Sequence, residues 1–154
     1  PDLVYFGGMY PEGSLIIKQM RQLGVKADLM GGDGLYAPEF ITLSGGSAEG
    51  AFISFLAPPY KEIPETKMFV EKFTKKYGEI KTYAPFAYDA ANIALDAIRR
   101  AGKADRKAVL EAVAGTKDFK GVIGATTFDA RGDTLNNAMF FYRVQDGKFK
   151  WYKD

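Results

Sequence analysis

The chain contains no cysteine and no histidine, and a single tryptophan, in 154 residues. The first zero excludes disulfide scaffolds, thiol nucleophiles and cysteine-bearing zinc sites. The second removes every mechanism that needs an imidazole base or ligand. Long apolar runs are also missing. The hydrophobic residues come in short stretches broken by Lys, Glu, Gly or Pro, so no segment approaches the eighteen or more uninterrupted residues of a membrane-spanning helix. Nor is there an excess of charge of one sign. With 21 basic and 19 acidic residues the net charge is +2, too balanced to build a field that draws a protein onto nucleic acid or an anionic membrane. The lack of cysteine does not assign a redox compartment, because such a chain survives equally in cytosol and periplasm.

What is present is typical of a folded domain: 47% hydrophobic residues, 26% charged, and 14% aromatic, with 12 Phe and 9 Tyr. That many rings must line a core or a cleft. The start of the chain is abrupt. Pro1-Asp2 runs directly into Leu3-Val4-Tyr5-Phe6, an apolar run of the kind found inside a parallel sheet, with no initiator Met or leader ahead of it. We therefore expect a piece of a larger protein.

Along the chain, the first strand is followed by a glycine loop, Gly7 to Gly13, and a helix from about Ser14 to Leu23 closed by Gly24. A second strand, Ala27 to Met30, enters Gly31-Gly32-Asp33-Gly34. A short helical stretch near Pro38 to Leu43 leads to a third strand, Gly50 to Phe55. This βαβαβ order predicts a parallel sheet and an α/β fold. Three prolines between Pro58 and Pro64 mark a crossing between domains. Beyond it, the spacing of Phe69, Phe73 and Tyr77 predicts an amphipathic helix whose aromatic stripe is core. Ala87, Ala91, Leu95 and Ile98 mark a second amphipathic helix, from about Ala87 to Ala101, and Asp105 is placed to cap a third from Arg106 to Ala114. Phe119 to Phe128 reads as an irregular strand and Asp129 to Asp133 as a turn. Met139 to Val144 and Lys148 to Tyr152 form a closing hairpin. Between Tyr60 and Asn136 there are thus three helices with apolar faces and about one strand, so the sheet that should cover those helices is expected to come from elsewhere: the absent part of a larger protein or a second copy of the chain.

Two loops are candidates for chemistry, because each follows a strand and precedes a helix: Gly7-Gly8-Met9-Tyr10-Pro11-Glu12 and Gly31-Gly32-Asp33-Gly34. Ligands of open parallel sheets gather at such strand ends. Neither loop matches a dinucleotide or P-loop pattern, and Asp33 would repel phosphate. Two readings stay open: glycines needed only for tight turns, or a carboxylate set among glycines and aromatics to receive an ammonium group. Asp129 and Asp133 lack the spacing and closing Glu of a calcium loop, so a turn is expected. A general base at Asp33 or Glu12 has no partner nucleophile in the sequence, and an enzyme is not expected. No cofactor or metal site is predicted.

Five stretches together resemble the periplasmic leucine/isoleucine/valine-binding proteins of ABC transporters. They are Asp2 to Glu12 with Gln19 to Gly24, Gly31 to Gly34, Gly46 to Gly50, Tyr83 to Ala91, and Gly121 to Gly124 with Phe128 to Asp133. The resemblance implies a partial type I periplasmic-binding-protein fold with the amino-terminal half absent. Residues 1–57 and 137–154 would be part of the second lobe, and residues 58–136 part of the first. It also implies an amino-acid ligand in the intact protein, with Asp33 receiving its α-ammonium where leucine-type relatives carry Glu. Met9 and Tyr10 would border its side chain, and Tyr83 would form a wall from the other lobe. Tyr60 and Tyr88 would be structural. An ABC permease would be the partner, with no nucleic acid involved. A homodimer, or pairing with the missing half, would complete the fold. The expected location is periplasmic or extracytoplasmic, compatible with a lipoprotein anchor. A ligand-sensing domain of a receptor or regulator with the same fold is the alternative function.

Overall fold

The computed structural model describes residues 1–153, apart from the Lys61 side chain. Asp154, the last residue of the expected closing segment, lies outside the described residues. In chain order the elements are β1 (Leu3–Phe6), α1 (Tyr10–Gln22), β2 (Asp28–Gly31), α2 (Pro38–Ser44), β3 (Phe52–Phe55), α3 (Pro64–Tyr77), α4 (Ala84–Ala101), α5 (Arg106–Ala114), β4 (Phe119–Gly121), β5 (Gly124–Thr126), β6 (Phe140–Gln145) and β7 (Lys148–Tyr152). They fall into two compact units, Pro1–Pro58 with Ala138–Asp154, and Pro59–Asn137.

The first unit is a five-stranded sheet of order β1-β2-β3-β6-β7. The first three strands are parallel, and β6 and β7 add to β3 as antiparallel neighbours. Parallel strands need long crossovers, which α1 and α2 supply, whereas β6 and β7 need only a tight turn. Asp146 and Gly147 provide it with φ of 53° and 67°, the left-handed pair that a two-residue hairpin demands. The Glu49 carboxylate accepts hydrogen bonds from both of their backbone N–H groups.

The core lies between one face of this sheet and the two helices. Ile17, Leu29, Leu35, Phe40 and Ile53 are fully buried in it. Each fully buried side chain of this kind is worth about 1.5 to 3 kcal/mol. Tyr36 packs among Phe55, Tyr142 and Phe149 at ring separations of 4.3, 4.5 and 4.7 Å. Burial pushes the Tyr36 hydroxyl pKa up, with the Tyr142 hydrogen bond opposing. The first strand departs from expectation. It alternates, with Val4 and Phe6 packed on the core and Leu3 and Tyr5 exposed, because α1 and α2 both pack on the same face of the sheet.

The second unit holds α3, α4 and α5 and the two-stranded hairpin β4-β5. Its helices begin and end where the sequence places their signals. The Asp105 carboxylate accepts from the Ala108 N–H at 2.9 Å, and α4 stops at Gly102 with φ 65°. The apolar faces expected to lack a covering sheet are indeed only partly buried. On α4 the buried residues are Pro85, Asp89, Ile93 and Ala97, while Leu95 and Ile98 are exposed. Both sides of this helix carry apolar residues, and α5 packs against it. The α3 stripe is likewise not core. Phe69 and Phe73 are half-buried and Tyr77 is exposed, in a ladder of rings 5.7 and 5.1 Å apart that Tyr88 joins at 4.8 Å from Phe69. In place of one irregular strand, residues 119–126 form the β4-β5 hairpin, held from two sides. The Thr66 hydroxyl donates to the Val122 carbonyl, and the buried Asp89 carboxylate accepts from the N–H groups of Val122 and Ile123 at 2.8 and 3.0 Å.

Candidate functional site

The register pairs Phe6 with Gly31, so the carboxyl ends of β1 and β2 finish level and their loops start side by side. The glycines then bring the loops into contact. A Cβ on Gly34 would stand 2.5 Å from the Gly8 carbonyl oxygen and 3.0 Å from the Met9 sulfur, and one on Gly31 would stand 2.3 Å from Leu35. At Gly34 the obstacle is backbone and cannot swing away, which is the physical reason for glycine there, whereas at Gly31 a side chain would have to displace the buried Leu35. Leu35, fully buried, pins the one-turn 3₁₀ helix Asp33–Leu35 to the core. Asp33 opens that turn and is exposed at the rim, between a glycine that must be small and a leucine that cannot move.

Met9 caps the start of α1 with its side chain 55% exposed, next to the Asp33 turn. Tyr10 follows but is half-buried against the core. Tyr5, not singled out in the sequence, also reaches this rim: its hydroxyl lies 3.8 Å from where a Gly32 Cβ would be, and the residue is 64% exposed. The signal for it was the period of two in β1, which puts Tyr5 opposite Phe6. The first unit thus gathers Asp33, Met9 and Tyr5 around one edge, a carboxylate beside a thioether and a phenol. That set can receive a cationic group and contact an apolar one.

Tyr83 belongs to the second unit, at the start of α4 and 41% exposed. Its segment is fixed by the Tyr60 hydroxyl, which donates to the Thr82 carbonyl. The Asp129 region is a self-contained turn. The Asp129 carboxylate accepts the N–H groups of Asp133 and Arg131 at 2.9 and 2.8 Å, which holds its pKa below the usual carboxylate range. A separate cavity of about 220 Å³, lined in part by Asp96, Arg100 and Thr116, lies within the second unit. Arg100 is occupied there by hydrogen bonds to Asp96 and Thr116.

The sequence pattern described as "Periplasmic binding protein" matches residues 1–148. The chain belongs to the periplasmic binding protein family. Among relatives of this binding protein, the "Leu/Ile/Val-binding protein homolog 2" of Brucella abortus (strain 2308) is 34% identical over 155 residues, covering 99% of this chain and 42% of that protein. The "Leucine-, isoleucine-, valine-, threonine-, and alanine-binding protein" of Pseudomonas aeruginosa is 31% identical over 154 residues, 99% of this chain and 39% of its own length. Among solved structures, the leucine binding protein LivK of Thermotoga maritima superposes with a TM-score of 0.87 at 35% identity, covering 99% of this chain and 44% of that one. LivJ of Streptococcus pneumoniae, in complex with isoleucine, gives 0.81 at 28% identity, with coverage of 97% and 43%. The chain therefore spans about two-fifths of the length of the curated relatives it matches. These relatives are named as binding proteins, and the partial type I periplasmic binding fold is shared with the solved structures.

Proposed function

We propose that this binding protein contributes the ammonium-binding side of a cleft for a branched-chain or other hydrophobic amino acid, or a related small amphiphile. In this reading it is part of an extracytoplasmic solute-binding component of an ABC transporter, and an ABC permease is the partner that receives the ligand. The observation that supports the reading is the close approach of Gly34 to the Gly8 carbonyl and the Met9 sulfur, which brings the loop that carries the exposed Asp33 against the loop that carries Met9. A zwitterionic ligand with an aliphatic side chain needs both a carboxylate and an apolar surface. Tyr83 is the aromatic wall contributed by the second unit. Residues 1–57 and 137–154 form part of the second lobe, and residues 58–136 part of the first. Either a lipoprotein anchor or a free periplasmic form suits this role.

The test is calorimetric titration of the protein encoded by the full-length reading frame with leucine, isoleucine and valine, before and after Asp33→Ala. Loss of a charge-assisted hydrogen bond costs on the order of 1.5 to 3 kcal/mol, so affinity should fall roughly ten- to a hundredfold. Unchanged affinity in the variant would remove Asp33 from the site. No binding of any aliphatic amino acid by the parent protein would remove the ligand class.

A further inference from the structure

The Asp33 turn is strung between two fixed points. At one end Gly31 is held in the sheet, paired with Phe6 of β1 and Ile53 of β3. At the other end Leu35 is fully buried. Between them lie Gly32, Asp33 and Gly34, and glycine has more backbone freedom to lose than any other residue type. Without a second anchor the carboxylate would sample many positions, and a ligand would have to order it on binding.

The seat of Leu35 removes that freedom. Its Cδ1 stands 2.3 Å from where a Gly31 Cβ would be, and its Cδ2 stands 2.4 Å from where a Gly13 Cβ would be. The two methyl groups therefore occupy the spaces that side chains at these two glycines would need, one on β2 and one on α1. Gly13 lies inside a helix, where alanine is the better former, and the seat supplies the reason for the exception. The Phe6 ring completes the floor, 3.5 Å from the Gly13 Cβ position and 2.4 Å from the Gly8 one. The backbone passes this hold to Asp33. The Leu35 N–H donates to the Gly32 carbonyl at 3.0 Å, and the Tyr36 N–H donates to the Asp33 carbonyl at 2.9 Å.

We infer that Leu35, seated between Gly13 and Gly31, is a positioning residue for ligand binding: it fixes the Asp33 turn before the ligand arrives, so that an ammonium group meets a carboxylate already in place. This role rests on the ammonium-binding role proposed for Asp33 above. Leu35 and Gly13 are both buried, so they act through Asp33 and not by touching the ligand.

The test is calorimetric titration of the full-length protein with leucine. Leu35→Val removes both δ carbons from the seat, and Gly13→Ala fills it from the other side. The two disturb the seat in opposite ways, so failure of one to fold leaves the other to decide. Each should keep the far-ultraviolet circular dichroism of the parent and weaken leucine binding by about five- to tenfold. Leu35→Met, which keeps the reach of the side chain, should stay within about twofold. In an Asp33→Ala background both substitutions should change affinity by less than about twofold, because the carboxylate they position is gone. A merely structural role would lower affinity alike with and without Asp33. If Asp33→Ala by itself leaves affinity unchanged, the ammonium-binding reading falls and the positioning role falls with it. If Asp33→Ala weakens binding while the folded seat variants do not, or if they weaken it equally in both backgrounds, that reading stands and the positioning role is overturned.

Discussion

At the scale of single residues, the site depends on atoms that are missing as much as on those present. Gly34→Ala would drive a methyl group against the Gly8 carbonyl, which is backbone and cannot swing away. We expect a loss of about 1 to 3 kcal/mol in urea denaturation. Asp129 makes a different prediction. Its carboxyl pKa is held low by the N–H groups of Asp133 and Arg131, so the folded state binds a proton less readily than the unfolded chain. The stability this supplies is fully present above the ordinary carboxylate range, near pH 4, and is lost as pH falls through that range towards the lower folded pKa. Asp129→Asn should therefore flatten the acid side of a stability-against-pH curve, and NMR should show the Asp129 carboxyl titrating below the usual range. Asp33 could be singled out in the sequence as a candidate because a carboxylate set among glycines after a strand is a recognisable pattern, and its exposure at the start of a one-turn helix is what the structure adds. Tyr5 could not, because an apolar four-residue run does not say which of its two faces will be covered.

At the scale of elements, capping placed the helix ends closely, since Gly102 and Asp105 act within one turn. However, α1 and α4 start earlier than the reading from Ser14 and Ala87, at Tyr10 and Ala84, each with proline in its first turn, so Tyr10-Pro11-Glu12 of the expected loop is helix. The α3 stripe was read as core, yet Phe69 and Phe73 are only half-buried and Tyr77 is exposed. The α4 helix buries Asp89 because that carboxylate receives two backbone N–H groups from the β4-β5 turn, a contact 33 residues away that periodicity cannot anticipate. Asp89→Ala would leave both donors unsatisfied in a buried setting and should cost about 3 kcal/mol by urea denaturation. Asp105→Ala, which removes an exposed cap, should cost only about 0.5 to 2 kcal/mol.

At the scale of the whole molecule, the described residues of the second unit include few buried apolar side chains. Besides Ile93 and Ala97, its buried residues are Pro85 and the polar Thr66, Asp89 and Thr116. The first unit has a continuous apolar cluster from α1 to β6. A chain covering 42% of a relative's length and carrying such unequal cores is expected to hold free leucine at least about a hundredfold more weakly than the full-length protein, because the ligand stays wet where the rest of the cleft would enclose it. Parallel titration of the two proteins checks this, and equal affinities would show that the described residues suffice.

The sequence alone determined the order of the elements up to α5, the closing hairpin, a glycine-rich turn after each of the first two strands and the lack of thiol or imidazole chemistry. All of these follow from residue type and short spacing. It did not determine the start of α1 at Tyr10 or the β4-β5 hairpin. Only the tertiary structure decided which side of each element meets solvent, that Gly34 sits against Gly8 and Met9, and that Asp89 ties α4 to a distant turn. Burial belongs to the partner an element finds, and an amphipathic pattern states only that a partner is needed.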